Sequence, residues 1–149
     1  MKTQINLETR DLYHFEDVEL IKLWIERVIL HYGFDYSEIN YTFYSDEELR
    51  RINKAYLDHD FYTDIITFDN TINKTVSADI VISIDRIRDN SKARKIEFKE
   101  ELKRVLIHGI LHCLGFDDKS DEGKQNMRDE EDKMIELFHV EHLKTNENV

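Results

Sequence analysis

His108, His112 and Asp118 have the residue types and the spacing of a metal site. On a helix, positions four apart lie one turn above the other on one face, so both imidazoles project the same way. From Arg104 to Phe116 the two histidines are the only strongly polar side chains after Arg104 itself. Leu102, Val105, Leu106, Ile107, Ile110, Leu111 and Leu114 fill the other flanks. A helix apolar all round is expected to be buried, and a buried imidazole needs a partner. Two on one face can share one, and a metal ion is the natural candidate. Gly115 stands where a helix can end in the left-handed conformation. That turn would bring the acids Asp117 and Asp118 back towards the rings. A histidine pair alone is common on helices; the apolar helix, the glycine turn and the placed carboxylate together favour the metal.

The full pattern, His-x3-His-x2-Gly-x2-Asp, is close to the metzincin arrangement of zinc ligands. The general-base glutamate of that pattern, next to the first histidine, is here Gly109. A site with the ligands and without that carboxylate is not expected to hydrolyse peptides by that route.

The elements that must position these residues can be read from periodicity. Residues 3–8 suit an edge strand. Asp17 to Tyr32 reads as a helix with Val18, Ile21, Trp24, Ile25, Val28 and Ile29 on one face, ended by Gly33. Ile39, Tyr41 and Phe43 alternate as in a half-buried strand from Ser37 to Tyr44. Ser45 and Glu48 form a capping box for a helix to about Leu57, whose Leu49, Ile52 and Tyr56 should face the core. Tyr62 to Asp69 and Ala78 to Asp85 read as strands, either a hairpin or neighbours in a mixed sheet. A helix from about Asp85 to Ala93 leads into the histidine helix. Ser120 could cap a last helix, roughly Asp121 to Leu143, with Met127, Met134, Ile135 and Phe138 inward and His139 and His142 near its end. The expected fold is α+β: a small mixed sheet of about four strands against about five helices, the central one buried and carrying the histidine pair.

At 149 residues the chain is expected to form one domain, 1–149. It has no long apolar run and no leader-like N-terminus, so no membrane is expected. The single cysteine, Cys113, lies about 100° around the helix from His112 and should pack in the core. These features fit a cytoplasmic protein. The net charge of −11 argues against a general nucleic-acid coat. It leaves room for a local cationic groove, because eight cations fall between Asp85 and Arg104, with five acids interleaved. A solvated helical face explains that run equally well.

The run from His108 to Asp118, HGILHCLGFDD, resembles the H-G-x-L-H-x-x-G-[YF]-D-H signature of the YbeY family, the bacterial rRNA maturation endoribonucleases. Asn53 and Tyr56 followed by Thr63-Asp64-Ile65-Ile66-Thr67-Phe68 resemble the family's N-x-x-Y and T-D-V-L-S-F segments. Ala78-Asp79-Ile80-Val81-Ile82-Ser83 resembles its G-D-I-x-I-S strand. The resemblance implies a zinc-dependent endoribonuclease acting in rRNA maturation and ribosome quality control. It also implies rRNA, the small ribosomal subunit and its assembly proteins as partners. The implied ligands are His108, His112 and Asp118. Three departures stand out. The family's third ligand is usually His, and Asp118 replaces it; a carboxylate is an accepted zinc ligand at about 2.0–2.2 Å, though it leaves the metal a weaker Lewis acid. The family's Arg after the second-block tyrosine is Leu57, with His59, Arg51, Arg86 and Arg104 as substitute cations. The usual glycine of the third block is Ala78.

Phosphodiester cleavage needs a nucleophile, charge stabilisation at phosphorus and a proton for the leaving group. A metal with open positions supplies the second and can activate water. Asp64 and Asp79, in strand blocks where burial would raise a carboxyl pKa, are candidates for proton transfer. Asp117 is a candidate for orienting a ligand or water. For Asp64 and Asp79, hydrogen bonding to turn or helix-end backbone is the plainer alternative; for Asp117, a turn or cap residue is an equal one. A ribosome-assembly factor with a structural metal and little nuclease activity is the competing function. A non-haem iron oxygenase shares the ligand set but usually has a β-barrel, and a metalloprotease ranks last because of Gly109.

Overall fold

The computed structural model describes the backbone of residues 3–147 and side chains as far as Val140, so the side chain of His142 lies outside the described residues. The elements run β1 (Gln4–Glu8), α1 (Val18–His31), β2 (Asp35–Tyr44), α2 (Asp46–Leu57), β3 (Ile65–Asp69) and β4 (Thr75–Ser83). Then follow α3 (Ile84–Arg94), α4 (Phe98–Cys113) and α5 (Asp121–Glu147). The sheet order is β1-β2-β4-β3. β1 and β4 both run parallel to β2, while β3 is antiparallel to β4. The fold is the expected α+β one, a four-stranded mixed sheet with helices on both faces.

Strand alternation divides the core. Ile39, Tyr41 and Phe43 of β2 pair in register with Ala78, Ile80 and Ile82 of β4, and all six are buried in the main core. This face carries α1 and α4, and the Tyr41 hydroxyl donates to the Leu106 carbonyl at 2.7 Å. Helix α5 covers α1 and α4 from outside, with Met127, Met134, Ile135 and Phe138 buried. The Trp24 indole of α1 donates to the Met134 carbonyl of α5 at 2.7 Å, satisfying its one polar atom. On the opposite sheet face a smaller cluster of Leu49, Ile66 and Val81 seats α2.

Several expectations shift. β3 starts at Ile65 rather than Tyr62, because the Tyr62 ring lies beneath the guanidinium groups of Arg50 and Arg86, at 5.1 and 5.3 Å, instead of joining the sheet. β4 starts three residues early, at Thr75, and forms a hairpin with β3. Tyr56 does not face the core: it is 72% exposed, with its ring edge-on to Phe68. Helix α4 is not apolar on every side, since it buries the carboxylate of Glu101 completely. Cys113 is buried as expected, and burial pushes its thiol up to about 12, which leaves it inert. No helix among the described residues is long and apolar enough to cross a membrane.

Candidate active site

Helix α4 ends as its sequence directs. The chain turns at Gly115, with φ +107°, and the amides of Gly115 and Phe116 bond back to the carbonyls of His112 and Leu111. This turn returns Asp118 to the histidine face, where its Oδ2 lies 3.6 Å from Nε2 of His108. The other ring nitrogen, Nδ1, meets Oε2 of Glu131 at 2.7 Å. Glu131 belongs to α5 and is buried, and its second oxygen accepts from Arg104 at 2.9 Å. Arg104 also reaches Asp132 at 2.7 Å. A carboxylate on Nδ1 fixes the tautomer of a neutral imidazole and leaves the Nε2 lone pair available. His112 is exposed rather than buried, and His108 is half-buried. The expectation of two buried imidazoles is therefore corrected: both rings open onto clefts.

Two clefts meet at Ile65, His108 and Asp118. One, of about 360 Å³, is lined by Asp64, Glu101, Glu131 and the cations Arg94, Arg104, Lys124 and Arg128. The other, of about 440 Å³, runs past His112 to Asn53, Leu57, His59 and Phe61. Burial lifts the carboxyl pKa of Asp64. The same cause raises that of Glu101, although Arg94 Nη1 sits 2.6 and 2.7 Å from its two oxygens. Burial disfavours the imidazolium of His108, but the carboxylates of Glu131, Asp118 and Asp64 together outweigh it and the net shift is upward.

A family model described as Endoribonuclease YbeY matches residues 3–139. This chain belongs to the YbeY family. It is 44% identical over 137 residues to Endoribonuclease YbeY of Flavobacterium johnsoniae, an alignment covering 92% of this chain and 99% of that one. The counterpart in Christiangramia forsetii is also 44% identical, over 140 residues, with coverage of 94% and 98%. A solution structure of a Thermotoga maritima protein superposes with a TM-score of 0.67, covering 95% of this chain and 93% of that one. Its 24% sequence identity makes the likeness one of fold.

Within this YbeY-family chain the candidate residues are only partly gathered. His108, His112 and Asp118 line one cleft together, and Asp64 joins His108 and Asp118 in the other. Asp79 does not approach them. It follows Ala78 and precedes Ile80, both turned towards α4, so it projects from the opposite sheet face, where Asn40 Nδ2 donates to it at 3.1 Å. Asp117 is an exposed turn residue whose Oδ1 accepts the amide of Lys119 at 3.1 Å. Of the cations considered as substitutes at the Leu57 position, His59 lines the same cleft as Leu57 and Arg104 lines the other. Arg86 is tied to Asp46 at 2.8 Å. The long cationic run resolves largely into ion pairs, with Arg94 and Arg104 turned into the cleft. Glu131 and Glu101 were missed by sequence reasoning. Nothing in the spacing of Glu131 separates it from the other acids of α5. For Glu101, its place three residues before Arg104 on an apolar helix was the one available signal.

Proposed function

We propose that this chain is an endoribonuclease acting in rRNA maturation, with one zinc ion held by His108, His112 and Asp118. Its membership of a family whose relatives are named endoribonucleases supports the reaction class. The observation that carries the metal reading is the setting of His108, with Nδ1 held by Glu131 and Nε2 facing the Asp118 carboxylate where the clefts meet. Two imidazoles and a carboxylate are a donor set that zinc accepts. Among the described residues no three His, Cys, Asp or Glu side chains are already gathered around a metal position. The donors still fit, because His112 and Asp118 are exposed and exposed side chains change rotamer in picoseconds to nanoseconds. Closing the set asks nothing of the core.

When bound, the ion supplies Lewis acidity towards a phosphoryl oxygen. The chain's own residues do the rest. Lys124 and Arg128 draw phosphates into the cleft, and Arg104 holds the Glu131 carboxylate in place against His108. Asp64, whose carboxyl pKa burial raises, lines the cleft where a proton can be taken or given. Gly109 faces the sheet, since a Cβ there would stand 3.1 Å from Ile65 Cδ1 and Ile80 Cδ1. A glutamate at that position would have to displace the sheet contact, which argues against protease chemistry. The same reading places the protein in the cytoplasm with the small ribosomal subunit, its rRNA and its assembly proteins.

Elemental analysis of protein purified without added metal, with RNA cleavage measured on the same sample, tests the reading. Near-stoichiometric zinc in the wild type, lost in Asp118→Ala, is expected, together with cleavage abolished by EDTA and by His112→Ala in a folded protein. Cleavage that survives both treatments would overturn the metal-dependent reading. Bound metal without any cleavage would leave an assembly factor with a structural ion.

A further inference from the structure

The two arms of the site differ in chemistry. The arm towards α5 carries the cations. The arm towards α2 is lined by Leu57, His59, Phe61 and Ile66, with the hydroxyls of Thr63 and Thr67, and it contains no lysine or arginine among its lining residues. The imidazole of His59 and the ring of Phe61 lie nearly parallel, with centroids 5.2 Å apart and an interplanar angle of 21°. Phe61 is nonetheless 54% exposed, and His59 is exposed as well.

This exposed pair is held firmly. Asp58 closes α2 in the left-handed conformation, with φ +56°, and the His59 amide bonds back to the Asn53 carbonyl at 3.3 Å. Asn53 is 2% exposed, and its Nδ2 donates to the Phe61 carbonyl at 3.1 Å. Arg50 Nε grips Asp60 between them at 2.8 Å. A buried polar side chain and an ion pair are thus used to hold two rings out in water. Folding alone does not favour that arrangement, because exposed aromatic area forgoes the stabilisation of burial.

We propose that the His59–Phe61 pair is a stacking subsite for one unpaired nucleobase of the RNA strand, next to the His108–His112–Asp118 centre. The proposal rests on the nuclease reading and adds to it how the strand is gripped. Flat, fixed, exposed rings stack any base by its π-face, whereas a cationic arm binds phosphate. A strand crossing the junction would lay its backbone towards Lys124 and Arg128 and a base against Phe61. Leu57 suits this arm, since an apolar side chain beside the stack adds contact with a base and none with phosphate. A cleft of about 440 Å³ lies within the range that takes small ligands. A protein segment seated here would cover His112 and Asp118 and block the centre, so a base is the occupant compatible with turnover.

The test is the affinity of the purified holoprotein for a labelled single-stranded DNA of about ten nucleotides, a length suited to such grooves. This probe offers bases and phosphates but no 2′-hydroxyl. An abasic strand of the same length serves as its partner. Phe61→Ala is expected to weaken binding of the base-bearing strand about fivefold or more, the loss of one base–aromatic stack. Binding of the abasic strand and the melting temperature should stay unchanged, and Phe61→Trp should restore affinity. Equal affinity of Phe61→Ala and wild type, an equal loss for the abasic strand, or no binding of either strand by the wild type overturns the subsite. RNA cleavage by the same wild-type sample separates the two claims. If cleavage proceeds while Phe61→Ala binds normally, the subsite alone falls. If the stacking effect appears and no divalent metal supports cleavage, the nuclease reading alone falls.

Discussion

Burial raises the carboxyl pKa of Asp64, and Asn90 Nδ2, at 3.5 Å, is a weak neutral partner for its charge. A carboxyl whose folded pKa exceeds its unfolded value binds more protons folded than unfolded. Its stabilisation is complete below the unfolded pKa and is lost as pH rises through the folded one. At neutral pH the raised folded pKa of Asp64 therefore costs stability. Asp64→Asn is expected to raise the melting temperature at pH 7, by roughly 2–4 °C for each 1 kcal/mol recovered. The advantage should vanish below about pH 4, where the wild-type carboxyl is protonated in both states. Thermal melts of the two proteins across pH check this, and an asparagine variant no more stable at pH 7 would show that the buried charge is fully compensated. A loss of RNA cleavage in the same variant would mean that the cost is retained for chemistry. The burial of Asp64 was legible because an acid inside a β-forming block invites it, although Asp64 itself stands one residue before β3. Asp79 met the same criterion and failed, since one step along a strand reverses the face. Glu131 was illegible because its partner, His108, is 23 residues away on another helix, and helix periodicity carries no information about which helices meet.

The site exists because α4 lies close against the sheet. Gly109 sets that distance: a Cβ there would meet Ile65 Cδ1 and Ile80 Cδ1 at 3.1 Å and Thr67 Oγ1 at 3.2 Å. All three are side-chain atoms able to yield by a few tenths of an ångström. Alanine should gain roughly 1 kcal/mol of helix propensity over glycine, which offsets that small displacement. Gly109→Ala is thus expected to change stability by less than about 1 kcal/mol in either direction. Valine must push the helix off β3 and β4, and overpacking of that kind costs about 1–3 kcal/mol. Chemical denaturation of both variants tests this ordering, and a valine variant as stable as the alanine one would mean that the helix is not seated as tightly as these distances require. Most elements were legible for local reasons. The Ser45–Glu48 capping box forms as the sequence implies, and Ile80 and Ile82 alternate as a strand should. The start of β3 was misread because the β-forming Tyr62 is engaged by Arg50 and Arg86, a tertiary contact with no local signature.

Over the whole molecule, acids outnumber bases by 11, and the cleft cations are not all available to a ligand. Arg94 is paired with Glu101, and Arg104 with Glu131 and Asp132. Among the described residues Lys124 and Arg128 enter no ion pair, so they are the two cleft cations able to displace counterions from an RNA strand. Each phosphate neutralised on a single strand contributes about −0.7 to the slope of log affinity against log salt, giving roughly −1.4 for two. A titration of single-stranded RNA binding at several salt concentrations should therefore return a shallow slope, flattened towards zero in the Lys124→Ala, Arg128→Ala double variant. A slope steeper than about −4 would mean that RNA engages a broad basic surface, against the reading of a cleft with few free cations. A shallow slope has a functional consequence. Long-range attraction then cannot bring an acidic protein to a polyanion, and the affinity must come from short-range contacts such as the stacking proposed for the aromatic arm. A nuclease with this charge balance would gain little from electrostatic steering and would depend on how well the strand fits the cleft.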